Sequence, residues 1–421
     1  MARPERADPM RSDLLISGIG VTSAIGQGKA DFLDALLAGR HRFGVMRRPG
    51  RQRAADERGE GGTAYLGAEI GTLGLPVEIP PSLLRTASFS AQVALASVYE
   101  AWHDAALDRL DPDRVGLVVG GSNFQQRELV QLHEAYRERP QFLRPTYAMS
   151  FMDSDLCGLC TEVFGIRGFA HTVGGASASG QVAVVQAIAA VQAGIVDACV
   201  AVGTLMDLSH WECQGLRSLG AMGSDRYAER PEHACRPFDR KRDGFIYGEA
   251  CAVLVIEREA SAGRAGVRPY ARIAGWAMGM DGNRNPNPSL DGEMAAISKA
   301  LQRAGLDAAQ IDYVNPHGTG SGIGDVTELE ALRRSGLGHA WLNTTKSVTG
   351  HGLSAAGAVE LAAVALQMRA EQLHPSRNLD DCMEPALPWV RERALDHRIE
   401  HALNLSMGFG GVNTAVCLSR H

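Results

Sequence analysis

The stretch Tyr313-Val314-Asn315-Pro316-His317-Gly318-Thr319-Gly320-Ser321 decides how this chain reads. Tyr313-Val314-Asn315 has the character of a short strand. His317 follows it directly, on a glycine-rich turn that leaves the imidazole at a strand end, where the active sites of α/β proteins collect. A lone histidine is more often structural than catalytic, but a second one changes the odds. His351 closes Thr345-Lys346-Ser347-Val348-Thr349-Gly350-His351 and is followed by Gly352 and a helix of small residues. Glycines on both sides let a ligand backbone come close. Lys346 precedes His351 by five residues, and Glu360 follows it by nine on the next helix.

Outward from this stretch, strand and helix patterns alternate along both halves of the chain. Residues 14–20, 115–119, 198–202, 250–256, 271–277, 341–344, 404–406 and 415–418 read as strands. Residues 31–38, 81–107, 293–304, 327–334 and 354–371 read as helices. Residues 176–193 are small and apolar on most faces, with Gly194 just beyond, so this helix belongs in the centre of the molecule. The alternation predicts an α/β protein with mostly parallel sheets. Residues 1–13 are polar and proline-containing and read as a disordered lead-in. Residues 46–71, rich in Arg, Gly, Glu and Ala, read as an exposed, mobile loop.

The chain has 421 residues, 45% of them apolar, enough for a large core in one domain or two fused halves. A net charge of −6 argues against a nucleic-acid binder working by bulk electrostatics. No run approaches the apolar length of a membrane span, and the N-terminus lacks the apolar core of a secretory signal. The eight cysteines show no framework spacing, which fits a reduced cytoplasmic protein. Cys157-Gly158-Leu159-Cys160 has no second pair to complete a metal site, so it reads as two small buried residues and no metal is expected.

The third informative segment is Thr172-Val173-Gly174-Gly175-Ala176-Ser177-Ala178-Ser179-Gly180. It nearly spells the G-x-S-x-G elbow of serine hydrolases, but Ser179 stands where the last glycine belongs. Taken with the two histidine motifs, it instead resembles the β-ketoacyl synthases of the thiolase-like superfamily. Residues 314–325, 343–360 and 405–413 match three separate motifs of that family in order and at family-like distances. Arg236-Pro237-Phe238-Asp239 with Arg242-Asp243-Gly244-Phe245 adds a fourth, and residues 16–26 a fifth. One position departs from the pattern. Where the family has the cysteine that carries the acyl chain, this chain has Ser177.

The resemblance implies a five-layered αβαβα thiolase-like fold built from two related halves, 14–265 and 266–421, and a homodimer. It implies that His317 and His351 are the paired histidines facing the thioester carbonyl of malonyl bound to a carrier protein. Lys346 would hold the second histidine's network, with Glu360 as its acidic partner. Thr319 and Ser321 fall where hydroxyls contact the pantetheine arm or the malonyl carboxylate, and Asp325 and Glu328 tie the loop together. Phe409 matches the gating phenylalanine, whose N–H forms the oxyanion hole with that of Ser177. The cofactor is the phosphopantetheine arm brought by the acyl carrier protein, with none held by the chain itself.

The retained parts suffice for decarboxylation, in which negative charge grows on the thioester oxygen and histidine N–H donors stabilise it. The lost cysteine is what condensation needs, because a serine stays protonated without an adjacent base. The chain therefore resembles the subclass of malonyl-carrier-protein decarboxylases in polyketide β-branching cassettes, which feed acetyl units to a hydroxymethylglutaryl-synthase-like enzyme. Ser177 is either inert there or hydrogen-bonds the enolate or a water. The competing readings are a condensing enzyme that uses Ser177 as its nucleophile, and a non-catalytic partner subunit like the chain-length factors. The turn-rich Gly282-Asn283-Arg284-Asn285-Pro286-Asn287-Pro288 either lines the substrate entrance or is a plain surface turn. Arg47, Arg48, Arg51 and Arg53 either attract an acidic carrier protein or form a solvated run.

Overall fold

A computed structural model describes residues 13–58 and 60–421. The lead-in expected at the N-terminus lies outside the described residues except for Asp13, which is ion-paired to Arg258 at 2.8 Å. Five strands of the first half form one sheet: β1 Leu14–Ser23, β2 Val115–Gly120, β3 Phe169–Val173, β4 Ala198–Gly203 and β5 Ala250–Arg258. Five more follow: β6 Ala271–Met280, β7 Tyr313–Asn315, β8 Trp341–Leu342, β9 His401–Gly408 and β10 Val412–Ser419.

The spatial order is β3-β2-β4-β5-β1 in the first set and β8-β7-β9-β10-β6 in the second. Numbered within each set, both read third, second, fourth, fifth, first. Strand sense repeats as well. In each set the third and fourth strands run parallel to the second, and the fifth pairs antiparallel with the fourth and the first. Identity of both order and sense establishes the two related halves. β1 and β6 meet antiparallel at Leu15 and Ile16, which joins the two sheets in one path.

The sheets are therefore mixed, where the sequence pattern predicted mostly parallel ones. Strands buried on both faces are apolar throughout whatever their direction, so composition reports burial rather than sense. β5 shows this: Ala252, Leu254 and Ile256 enter the core between the sheets, while Cys251, Val253 and Val255 enter the core on the outer face.

Five helices complete the layers: α1 Phe89–Asp104, α2 Ser179–Gln192, α3 Leu290–Ala304, α4 Gly324–Arg334 and α5 Ala356–Ala370. α1 covers the outside of the first sheet, and α3 and α4 cover the outside of the second. α2 and α5 lie between the sheets, giving αβαβα. Small residues let them touch: a Cβ on Gly180 would fall 2.9 Å from the backbone nitrogen of Ala358. The window Leu353–Ala370 is long and apolar enough to cross a membrane by composition alone, but here it is 89% buried at the molecule's centre.

The loop expected over residues 46–71 is exposed mainly in its middle, at residues 53–58 and 60–62, and its two ends are built into the protein. Met46, Tyr65, Leu66 and Ala68 are buried, and Leu66–Ala68 forms a strand. Arg51 is completely buried, with Nη2 2.8 Å from Asp207 and 2.6 Å from Glu249. Arg48 also pairs with Glu249. These two arginines are spent inside the protein and cannot steer a carrier protein. Buried charges need such partners, and a run of arginines in the sequence does not show where the partners lie.

Candidate active site

Four chain segments, drawn from both halves, bring the site together. Ser177 sits on a single 3-10 turn, Ala176–Ala178, between β3 and α2. Ala176 takes a φ of 48°, a left-handed conformation that costs energy for a residue with a Cβ. The end of β9 pins this turn. A Cβ on Gly408 would lie 2.1 Å from the Gly175 carbonyl oxygen, so only glycine fits beside it. Phe409, the next residue, is 41% exposed at the rim of the site.

His351 follows the short helix Lys346–Thr349. Its N–H donates to the Ile246 carbonyl at 2.7 Å, and its carbonyl accepts from Gly248 N–H at 3.1 Å. The neighbouring Gly350, with φ 79°, makes room for this backbone. A Cβ there would fall 2.8 Å from the Tyr247 carbonyl. This glycine thus admits the protein's own strand, where the sequence suggested room for a ligand. Phe245 packs edge-on against the His351 ring, with centroids 5.0 Å apart.

The hydrogen bonds fix both histidine tautomers. Leu353 N–H donates to His351 Nδ1 at 3.3 Å, so the neutral ring carries its proton on Nε2. That nitrogen lies 2.9 Å from Ser177 Oγ and donates to it. Lys346 Nζ stands 3.3 Å from His317 Nδ1, which again leaves the proton on Nε2. The two rings meet edge to face at 5.5 Å. Burial and the Lys346 charge push both imidazoles well below their usual pKa, so both are neutral donors at pH 7.

Lys346 is buried and hydrogen-bonds the Glu360 carboxylate, the His317 carbonyl and His317 Nδ1. It therefore serves the first histidine in the chain, where the sequence reading assigned it to the second. The topology explains this. β8 runs parallel beside β7, so the residue just past β8 faces the loop just past β7. Burial raises the Glu360 carboxyl, and the Lys346 charge opposes that rise.

α4 holds the His317 loop through its carboxylates. Glu328 accepts from His317 N–H at 2.6 Å and Gly318 N–H at 2.8 Å. Asp325 accepts from Gly320 N–H at 3.0 Å, Thr319 N–H at 3.2 Å and Phe238 N–H at 2.6 Å. Thr319 Oγ1 accepts from Ser321 N–H and Ser321 Oγ from Gly324 N–H, so these hydroxyls also shape the turn into α4.

A cavity of about 360 Å³ is lined by Ser177, His317, His351, Thr319, Ser321 and Phe409. Every sequence-derived candidate except Lys346 and Glu360 reaches it, and those two stand directly behind His317. Pro286, Asn287 and Pro288 line it too, so the turn-rich loop borders the site. Sequence reasoning missed several lining residues, among them Met206, Asp281 and Glu293. Glu293 had a readable signal. It shares the buried face of α3 with Ala296, Ile297, Ala300 and Leu301, an acid at the head of an apolar stripe.

Comparison with known proteins agrees with this geometry. Residues 11–262 match the family described as Beta-ketoacyl synthase, N-terminal domain, and residues 270–380 match Beta-ketoacyl synthase, C-terminal domain. The chain belongs to the β-ketoacyl synthase family. The polyketide biosynthesis malonyl-ACP decarboxylase PksF of Bacillus subtilis is 58% identical over 96% of both chains. The 3-oxoacyl-[acyl-carrier-protein] synthase 1 of Haemophilus influenzae is 32% identical over 97% of this chain and 98% of its own. The crystal structure of a beta-ketoacyl synthase from Burkholderia phymatum superposes with a TM-score of 0.85 at 28% identity, covering 97% and 99%. The thiolase-like fold is thus the fold of this family member.

Proposed function

We propose that this enzyme decarboxylates malonyl-acyl carrier protein to acetyl-acyl carrier protein in polyketide biosynthesis. One observation carries the reading. Two neutral histidines with fixed Nε2–H tautomers line a cavity that holds no thiol, since all eight cysteines lie elsewhere and are buried. The high identity to a relative named as a malonyl-ACP decarboxylase supports it.

The chemistry follows from the donors. The malonyl thioester enters on the phosphopantetheine arm of its carrier, with its thioester oxygen toward the two Nε2–H groups. The bond between the α-carbon and the carboxylate breaks, its electron pair passes into the enolate, and CO₂ leaves. Each donor present at the growing oxyanion is worth about 3 kcal/mol. Thr319, Ser321 and Phe409 border the arm, and the N–H groups of Phe409 and Ser177 form an oxyanion hole. Lys346 holds His317 in its donor tautomer, and Glu360 balances the lysine's charge.

The condensing alternative asks Ser177 to attack the thioester. A base would have to take its proton, and His351 Nε2 carries a proton already. The geometry therefore favours a spectator serine. β3 forms the free edge of the first sheet, pairing only with β2 among the described residues, which suits pairing with a second copy in a homodimer. Eight free thiols suit a reducing compartment such as the cytoplasm. The acetyl carrier product is fit to feed a hydroxymethylglutaryl-synthase-like enzyme.

The test is incubation of the purified enzyme alone with malonyl-loaded carrier protein, followed by mass measurement of the carrier. Conversion to acetyl carrier, lost in His317→Ala and His351→Ala, is the expected result. Malonyl carrier left intact across several cognate candidates would refute the reading.

A further inference from the structure

Decarboxylation leaves an enolate, and an acetyl group needs one more proton on the former malonyl α-carbon. The two histidines have none to spare. Each Nδ1 already accepts a hydrogen bond, and loss of the Nε2 proton would leave an imidazolate. Lys346 spends its donors on Glu360, the His317 carbonyl and His317 Nδ1. Burial raises Asp325 to about 6 and Glu328 to about 7, but each accepts backbone N–H bonds on both oxygens, which opposes the rise and leaves no oxygen free to carry a proton toward the cavity.

Glu293 differs from all of these. It is in the first turn of α3, is 2% exposed, and lines the same cavity as Ser177, His317 and His351. Its Oε2 is buried and has no hydrogen-bond partner among the described residues. The charged groups bearing on it are acidic: Asp281 just beyond β6 and Glu328 on α4, with Asp291 in the same first turn. An unpaired anion in that setting would be costly, and a neutral carboxylic acid is not. Burial and the two facing carboxylates accordingly push its pKa up to about 9. A neutral acid also avoids repelling the malonyl carboxylate, and it carries an O–H to give.

We infer that Glu293 is the proton donor that turns the enolate into the acetyl group. The inference rests on the decarboxylase reading above. In the step, the Glu293 O–H bond breaks and a C–H bond forms at the α-carbon, directly or across a cavity water. The enolate pair becomes that C–H bond, and the Glu293 carboxylate recovers a proton from solvent. One malonyl carboxylate and one solvent proton give one CO₂ and one methyl group.

The experiment follows acetyl carrier formation by wild type, Glu293→Gln and Glu293→Asp between pH 6 and 10. Wild-type turnover falls as pH rises through about 9, where the acid loses its proton. Glu293→Gln lowers turnover at pH 7.5 by about 10²-fold, the usual worth of a general acid, and loses that alkaline fall. Glu293→Asp recovers part of the rate and the titration. A second measurement covers a variant that folds poorly. Wild type acting on stereospecifically deuterated malonyl carrier in tritiated water gives a chiral methyl group, because one fixed acid serves one face. A racemic methyl group, or a Glu293→Gln enzyme with wild-type rate and pH profile, overturns the inference while leaving decarboxylation intact. Wild type that releases no CO₂ overturns the decarboxylase reading itself.

Discussion

Ser177→Ala is the substitution that separates a spectator serine from a nucleophile. Among the described residues the serine side chain makes one hydrogen bond, accepting the His351 Nε2–H at 2.9 Å. That bond is neutral and sits in a half-buried site, so its net worth is about 0.5–1.5 kcal/mol. At 1.36 kcal/mol per decade, the whole of it amounts to a change of roughly two- to tenfold in turnover. The direction is open to either side of one, because freeing Nε2–H in the ground state also frees it for the thioester oxygen. Loss of a true serine nucleophile costs on the order of 10⁶-fold in enzymes that use one. The two cases differ by several decades. The assay is the initial rate of acetyl carrier formation by intact-protein mass, wild type against Ser177→Ala at saturating malonyl carrier. A drop beyond about 10³-fold, with the fold intact by circular dichroism, would refute the tautomer argument and restore Ser177 as an acyl carrier.

Other perturbations test the supporting parts. Lys346→Met leaves Glu360 buried without its partner and lowers the unfolding free energy by about 3 kcal/mol by urea denaturation. Adding Glu360→Gln restores most of that stability but not the activity, since His317 Nδ1 still lacks its donor. Because both imidazoles titrate well below 6.5 when folded and near it when unfolded, the unfolded chain binds more protons below that pH. The stability contributed by the neutral rings is therefore lost as pH falls below 6.5, while histidine protonation does not limit turnover at pH 6. A rate profile with an acid midpoint near 6.5 would count against neutral donors. Gly408→Ala drives a Cβ into the Gly175 carbonyl, which moves the Ser177 turn, and turnover falls at least tenfold with little change in the core.

The parts of this protein written in local sequence were legible, and the parts written in three-dimensional pairing were not. His317, His351 and their glycines stand in contiguous motifs, and the strand-end placement of His317 follows from the short apolar run before it. The central helix at residues 179–192 was readable because burial on all sides removes polar residues from every face. Strand direction was not readable, because β5 is as apolar as a parallel strand while running antiparallel to both neighbours. Arg51 was misread for the same reason. Its partners Asp207 and Glu249 lie far along the chain, and nothing near Arg51 announces them. The Lys346 partner depended on which strand lies beside β8, a fact of topology rather than motif. Glu293 lay between the two cases, since its place in the apolar stripe was visible but its neighbours Asp281 and Glu328 were not.

The replacement of a thiol by a hydroxyl is consistent with the rest of the site once magnitudes are compared. Ser177 lies at the N-terminal end of α2, where the helix field favours negative charge. That field is worth about 0.3–2 kcal/mol, or at most roughly 1.5 pKa units. A shift of this size brings a cysteine, at about 8.5, to substantial ionisation near neutral pH. It leaves an alcohol fully protonated. The imidazole nitrogen hydrogen-bonded to Ser177, His351 Nε2, already holds a proton, so it cannot act as the general base. The same turn still packs on Gly408 and still positions the hydroxyl against His351. Exchanging one sulfur for one oxygen thus removes the nucleophile that acyl transfer needs while the two Nε2–H donors remain in place, which is the combination the proposed decarboxylation calls for.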